Sequence, residues 1–250
     1  MAPEAIGGGA MCTREPKVLT FDVVGTLIDF EAGLLAYLRG ACGAAAERLP
    51  DPAILDAYRG ARGMPEAWAF PDDLERVYGV IAPQLGLPQD AGIARGFARS
   101  VKDWPAFPDS VEALRRLRAR YRLVAMTNAL RWALDLMIPR LGDPFHDTVA
   151  ADEALCEKPD PMYFAFTRGR LSRDGYTRSD ILHVAQSQYH DIGVARRLGY
   201  TVCWIERRKG LPGPGGTITA AERTEPHYHF ATLAELADAA EAGGLTMRTA

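Results

Sequence analysis

The stretch FDVVGTLIDF carries an apolar run (Val18, Leu19, Phe21) into a carboxylate, Asp22, closely followed by Gly25-Thr26, a turn whose backbone amides can hold an anion. Three further short stretches offer chemistry: Thr127-Asn128 closing LVAMTNAL, Lys158 in CEKPDPMYF, and Asp191 in HVAQSQYHDIGVARRLGY. A carboxylate becomes a usable nucleophile when it is desolvated and aimed, and a nearby ammonium keeps it ionised and offsets charge during attack. Lys158 suits that role. Only four of the 29 basic residues are lysine, so where this chain simply wants positive charge it writes arginine, and a compact ammonium is required at Lys158. His183 reads as structural, whereas His190, beside Asp191, is a candidate for contact with substrate or water.

These residues need a scaffold that gathers them. After residue 107, short apolar segments alternate with helical patterns, the signature of an α/β fold whose parallel sheet is covered on both faces. Strands are expected at 17–24, 123–127, 148–151, 181–185 and 201–205, which brings the four motifs to one edge of the sheet. PDSVEALRRLRAR spaces Val111, Leu114 and Leu117 at helical intervals, and Asp109 with Glu112 forms a candidate capping box. Residues 31–104 lack β-branched runs and are broken by Pro50, Pro65, Pro71, Pro83 and Pro88. They read as a helical cap inserted above the carboxyl ends of the strands, with 17–30 and 105–250 forming the core domain. Tyr37, Trp68, Phe70 and Trp104 are candidates for an apolar wall that excludes water.

The chain has 250 residues, 48% apolar and 24% charged, enough to bury a core and carry a second smaller domain. Its net charge is -3, with no block of like charges, which points away from nucleic acid and anionic membranes and toward a small-molecule partner. Cys12, Cys42, Cys156 and Cys203 form no CxxC pair, consistent with a reducing cytoplasm rather than a zinc knuckle or disulfide scaffold. No run of 18 apolar residues occurs, and residues 1–16 have neither a basic leader nor an apolar core, so they are expected to be a disordered leader that contributes nothing to the fold.

The order and spacing of Asp22, Thr127, Lys158 and Asp191 resemble the haloacid dehalogenase superfamily over roughly residues 17–240. That resemblance implies a Rossmann-like core with an inserted cap. In the superfamily's phosphatases a second Asp follows two residues after the nucleophile and protonates the leaving group; here that position is Val24. Those enzymes also hold magnesium with an Asp where this chain has Gln186, and a neutral amide is a poor substitute in a hard-cation site. The first motif therefore looks most like the L-2-haloacid dehalogenase branch, which needs neither metal nor cofactor.

The resemblance makes Asp22 the nucleophile that forms an ester with C2 of a 2-substituted carboxylic acid, supported by a hydroxyl bond from Thr26. Thr127 would help bind the substrate carboxylate, Asn128 would line the leaving-group pocket, Lys158 would keep its place, and Asp191 would help position water. The family's tyrosine past the lysine aligns with Phe164, with Tyr163 one residue off. Gln186 and Gln188 replace a Ser and an Asn of the fourth motif, where longer amides would orient water while filling space. The cap is expected to supply an arginine to substrate: Arg59, which follows Tyr58 in LDAYRGAR, or Arg62 one turn later. Three other readings stay open: ring-opening of an azetidine-2-carboxylate, a magnesium-dependent phosphatase, and a non-catalytic binding protein that keeps the fold. A cytoplasmic location and a homodimer are compatible with the resemblance.

Overall fold

The computed structural model describes residues 13–67 and 69–248, so the expectations for residues 1–12, for Cys12 and for Trp68 lie outside the described residues. In chain order, β1 (Thr13–Arg14) and β2 (Val18–Phe21) precede five helices, α1 (Phe30–Cys42), α2 (Ala44–Glu47), α3 (Asp51–Arg62), α4 (Leu74–Leu85) and α5 (Ala91–Arg99). There follow α6 (Ser110–Arg118), β3 (Arg122–Met126), α7 (Arg131–Met137), β4 (Asp147–Val149), α8 (Ala151–Ala154), α9 (Pro161–Arg173) and β5 (Ile181–Ala185). The chain closes with α10 (Gly193–Arg197), β6 (Thr201–Ile205), β7 (Tyr228–Phe230), α11 (Leu233–Glu241) and β8 (Met247–Arg248).

Six strands form one parallel sheet in the order β4-β3-β2-β5-β6-β7. The chain runs outward from β2 through β3 to β4, then returns to β2's other side with β5, so the strand order reverses at β2. Ligands of such sheets bind at the carboxyl ends beside that reversal, where Asp22 emerges. Side-chain alternation explains burial on both faces: Leu19 and Phe21, Leu123 and Ala125, and Leu182 and Val184 point into one apolar cluster. Val18, Val124, Met126, Ile181 and Ala185 point into the other. On that second face Thr20 lies opposite His183 in the register, and its hydroxyl is 2.9 Å from His183 Nδ1, so neither buried polar group is left unpaired.

Helices α1 to α5 stand over this edge. Asp29 caps α1 through Ala32 N–H, at 3.0 Å, and Asp90 caps α5 through Gly92 and Ile93. Tyr37 stacks on Phe97 inside this helical layer, and Trp104 lies beneath Phe30 and Phe70 with its indole N–H on Ser100. The helical layer is pinned to the sheet where Leu130 N–H donates to the Phe70 carbonyl at 2.8 Å.

Several expectations change. Regular pairing in β2 stops at Phe21, because Val23, Val24 and Gly25 turn back on themselves: Gly25 N–H donates to Ile28 O, and Leu27 and Ile28 N–H donate to Val23 O. The strands expected at 123–127 and 148–151 each begin one residue earlier and end sooner, Ala151 instead opening a short helix. Strand β7 and the pair β1–β8 were too short to carry an alternation signal. Residues 13 and 14 do join the fold: β1 pairs antiparallel with β8, and Arg14 reaches Ser179 and Asp180. Asp109 makes no capping bond to α6; it receives Arg207 and the N–H groups of Leu233 and Ala234 at the start of α11. Val111 is exposed, and Ala113, Leu114 and Leu117 form the buried face of α6.

Candidate active site

Asp22 leaves β2 at the sheet edge with both carboxylate oxygens engaged. Thr26 Oγ1 donates to Oδ2 at 2.6 Å while accepting the Gln186 N–H at 2.9 Å, which ties the turn after β2 to the end of β5. Lys158 Nζ donates to Asp22 Oδ1 at 3.0 Å, to Asp191 Oδ1 at 2.6 Å and to the Met126 carbonyl at 2.8 Å. An ammonium has three protons, and all three are used. Asp191 Oδ1 also meets His183 Nε2 at 3.0 Å, whereas its buried Oδ2 has no protein partner among the described residues. The result is a buried chain of polar groups running from Thr20 through His183, Asp191, Lys158 and Asp22 to Thr26.

Burial raises the Asp22 carboxyl above its ordinary value, against the pull of the Lys158 ammonium. Burial works against the Lys158 charge too, but Asp191 and Asp22 outweigh it and hold the ammonium above its ordinary value. Asp191 is brought down to about 2: burial opposes its ionisation, and the Lys158 charge with the bond from His183 overcomes that.

Each functional side chain is positioned by its loop. Asn128 receives Lys158 N–H on Oδ1 and donates Nδ2 to Lys158 C=O, both at 2.7 Å, and so fixes the loop carrying the lysine. Thr127 Oγ1 accepts the Ala129 N–H at 3.2 Å and keeps its own proton to give. The Tyr163 hydroxyl lies 2.7 Å from both the Thr127 and Val149 carbonyls and joins the ends of β3 and β4, while Phe164 packs edge-on against His183.

Above Asp22 opens a cavity of about 100 Å³. Val24, Phe30, Tyr58, Phe70 and Ala129 form its apolar wall, and Thr127, Asn128, Lys158, Gln186, His190 and Asp191 its polar wall. Of the aromatic residues expected there, Phe70 is present, while Phe30 and Tyr58 stand where Tyr37 and Trp104 were expected. The arginine on this wall is Arg62, which also pairs with the fully buried Asp73, and not Arg59. Arg59 turns instead to the Gly215 carbonyl and to Asp56. Gln188 is likewise outside the cavity: its Oε1 accepts the Thr224 N–H at 2.9 Å.

One wall was not foreseen. Gly216, Thr217 and Ile218 cover the cavity from the loop after β6. Glu31 of α1 accepts the Gly216 N–H at 2.8 Å and pairs with Arg208, and the Thr217 hydroxyl meets Gln186 Oε1 at 3.4 Å. A Cβ on Gly216 would come within 2.8 Å of the Phe30 ring, so glycine is required for this approach. The cluster GLPGPGG marks a turn in the sequence, but nothing local says that the turn folds back over a strand end.

The model of a hydrolase family, described as haloacid dehalogenase-like hydrolase, matches residues 16–199. Haloacetate dehalogenase H-2 of Moraxella sp. (strain B) is 29% identical over 127 residues, 50% of this chain and 55% of that protein. The chain thus matches about half the length of the first curated relatives. (S)-2-haloacid dehalogenase H-109 of Pseudomonas putida is 24% identical over 76% of this chain and 85% of that protein. The L-2-haloacid dehalogenase of Xanthobacter autotrophicus superposes with a TM-score of 0.72 at 19% identity, over 90% of this chain and 98% of that one, and shares the fold.

Proposed function

Because the chain belongs to the haloacid dehalogenase-like hydrolase family, we propose that it displaces halide from C2 of a short 2-halo carboxylic acid through an ester on Asp22, giving the 2-hydroxy acid. The observation that carries this reading is the setting of Asp22: one oxygen held by Thr26, the other by Lys158, and valine rather than a carboxylic acid at Val24. Such a site aims a carboxylate but supplies no proton from Val24 to a leaving group, which suits a group that departs as a stable anion.

In this reaction an Asp22 oxygen forms a bond to C2 as the carbon–halogen bond breaks, and the halide takes the electron pair. Lys158 keeps Asp22 ionised, Thr127 donates to the substrate carboxylate, and the wall of Phe30, Tyr58 and Phe70 keeps bulk water away. Water then attacks the aspartyl carbonyl. The X. autotrophicus enzyme has also been solved with chloropropionic acid covalently bound, which is in keeping with this route. The donor set argues against magnesium: Gln186 offers a neutral amide, and the Lys158 ammonium already pairs with Asp22 and Asp191.

A single turnover in heavy-oxygen water, with enzyme in excess over 2-chloropropanoate, tests the route. The expected result is free chloride, unlabelled lactate and label in the Asp22 peptide; label in the first-turnover lactate overturns the ester.

A further inference from the structure

We propose that Thr217 and Ile218 decide how long a chain the acid can carry at C2, and that Glu31 and Arg59 of the cap are the positioning residues that hold them in place. The inference rests on the dehalogenase reading above and adds the substrate class: acids whose chain at C2 stops short of this wall.

The direction of the chain follows from the sheet. Displacement at C2 puts the Asp22 oxygen, the carbon and the halide in line, so the carboxylate and the chain spread around that axis in different directions. With the carboxylate on Thr127 at the end of β3, the chain points away from β3. Strands β5 and β6 lie on the other side of β2, and the wall there is Gln186, at the end of β5, with Thr217 and Ile218 from the loop after β6.

There is space behind this wall. A second cavity, of about 280 Å³, shares Gln186, Thr217 and Ile218 with the one above Asp22. Trp204, Leu211, Pro214 and Ala220 give it apolar lining, with Arg208 and Arg223 among its polar groups. Gln186 is fixed at its backbone, where its N–H donates to Thr26 Oγ1 at 2.9 Å and its carbonyl accepts the Trp204 indole N–H at 2.8 Å. The separation of the two cavities therefore depends on where the loop holds Thr217 and Ile218.

The cap holds that loop by a single peptide unit. Gly215 C=O and Gly216 N–H are its two polar ends, and both are taken: Arg59 of α3 donates to the carbonyl, and Glu31 of α1 accepts the N–H at 2.8 Å. Glu31 also pairs with Arg208, near the start of the same loop. Gly215 has φ +63°, a conformation that favours glycine, and a Cβ on Gly216 would lie 2.8 Å from the Phe30 ring and 3.2 Å from the Tyr58 ring. The diglycine is thus shaped to lie against the cap, and the next two residues are the wall.

The test reads chloride release and compares kcat/KM for 2-chlorohexanoate with that for 2-chloropropanoate. Ile218→Ala and Thr217→Ala are each expected to raise this ratio at least about 10-fold, the low end of what one methylene in an apolar pocket decides. Adding Ala220→Phe, which fills the second cavity, should return the Ile218→Ala ratio toward wild type, whereas a gain from general loosening would survive it. Glu31→Ala should also raise the ratio, and Glu31→Gln, which keeps an oxygen for the Gly216 N–H, should stay near wild type. An unchanged ratio in both wall variants, or a gain that Ala220→Phe leaves intact, overturns the wall. An unchanged ratio in Glu31→Ala overturns the positioning role. A wild type that releases no chloride from 2-chloropropanoate would instead remove the dehalogenase reading itself, so the failures are distinct.

Discussion

Asn128 grips Lys158 by its backbone, accepting its N–H and donating to its C=O, each at 2.7 Å, so the only lysine in the site is aimed by an amide from the neighbouring strand end. Asn128→Asp replaces the donor with a second acceptor facing that carbonyl. We expect turnover to fall about 100-fold, the scale of a misplaced catalytic group, and stability to fall by about 1–3 kcal/mol from the unpaired buried carbonyl. Steady-state rates and thermal melts check both. Unchanged turnover would mean that Lys158 does not need this grip.

Lys158→Arg keeps the charge but not the shape. Three acceptors converge on one nitrogen, and a planar guanidinium cannot present three protons from a single point. Activity should be lost, and Lys158→Met should also destabilise by about 3–5 kcal/mol, because two buried carboxylates lose their common counter-charge. Denaturant unfolding reads the second effect; a Met variant as stable as wild type would contradict the buried charge arrangement.

The pH profile follows from Asp22. Burial raises its carboxyl above the ordinary value of 3.8, and Lys158 and Thr26 oppose that rise. Attack needs the carboxylate, so kcat/KM should fall as pH decreases through a limb lying above 3.8. Thr26→Val removes one of the groups favouring the charged form, and the limb should move to higher pH. A limb that stays in place or moves down would show that Thr26 does not act on Asp22 ionisation.

The two cap arginines should separate cleanly. Arg62 lines the cavity and pairs with buried Asp73, and Lys in its place cannot serve both. Arg62→Lys is expected to lose about 2–4 kcal/mol of transition-state stabilisation, the scale of one preorganised donor. Arg59→Lys, whose partners are Gly215 and Asp56, should cost far less. Equal losses in kcat/KM would return Arg59 to the site.

What the sequence determined by itself is local. Short apolar runs at 181–185 and 201–205 define β5 and β6 to the residue, and a strand that delivers Asp22, a lysine in a chain that otherwise writes arginine, and valine at Val24 together outline the chemistry. These features can be read because strand pattern, residue type and spacing are properties of short windows. Only the tertiary structure decided which of two arginines three residues apart faces the cavity, since Asp73 and Gly215, which direct them, come from other segments. It also decided that Asn128 serves Lys158, 30 residues away, that His183 meets both Thr20 and Asp191, and that a glycine loop after β6 closes over Phe30. Each depends on which strand ends the parallel sheet sets side by side, and strand order is fixed by packing across the whole chain rather than by any window of it.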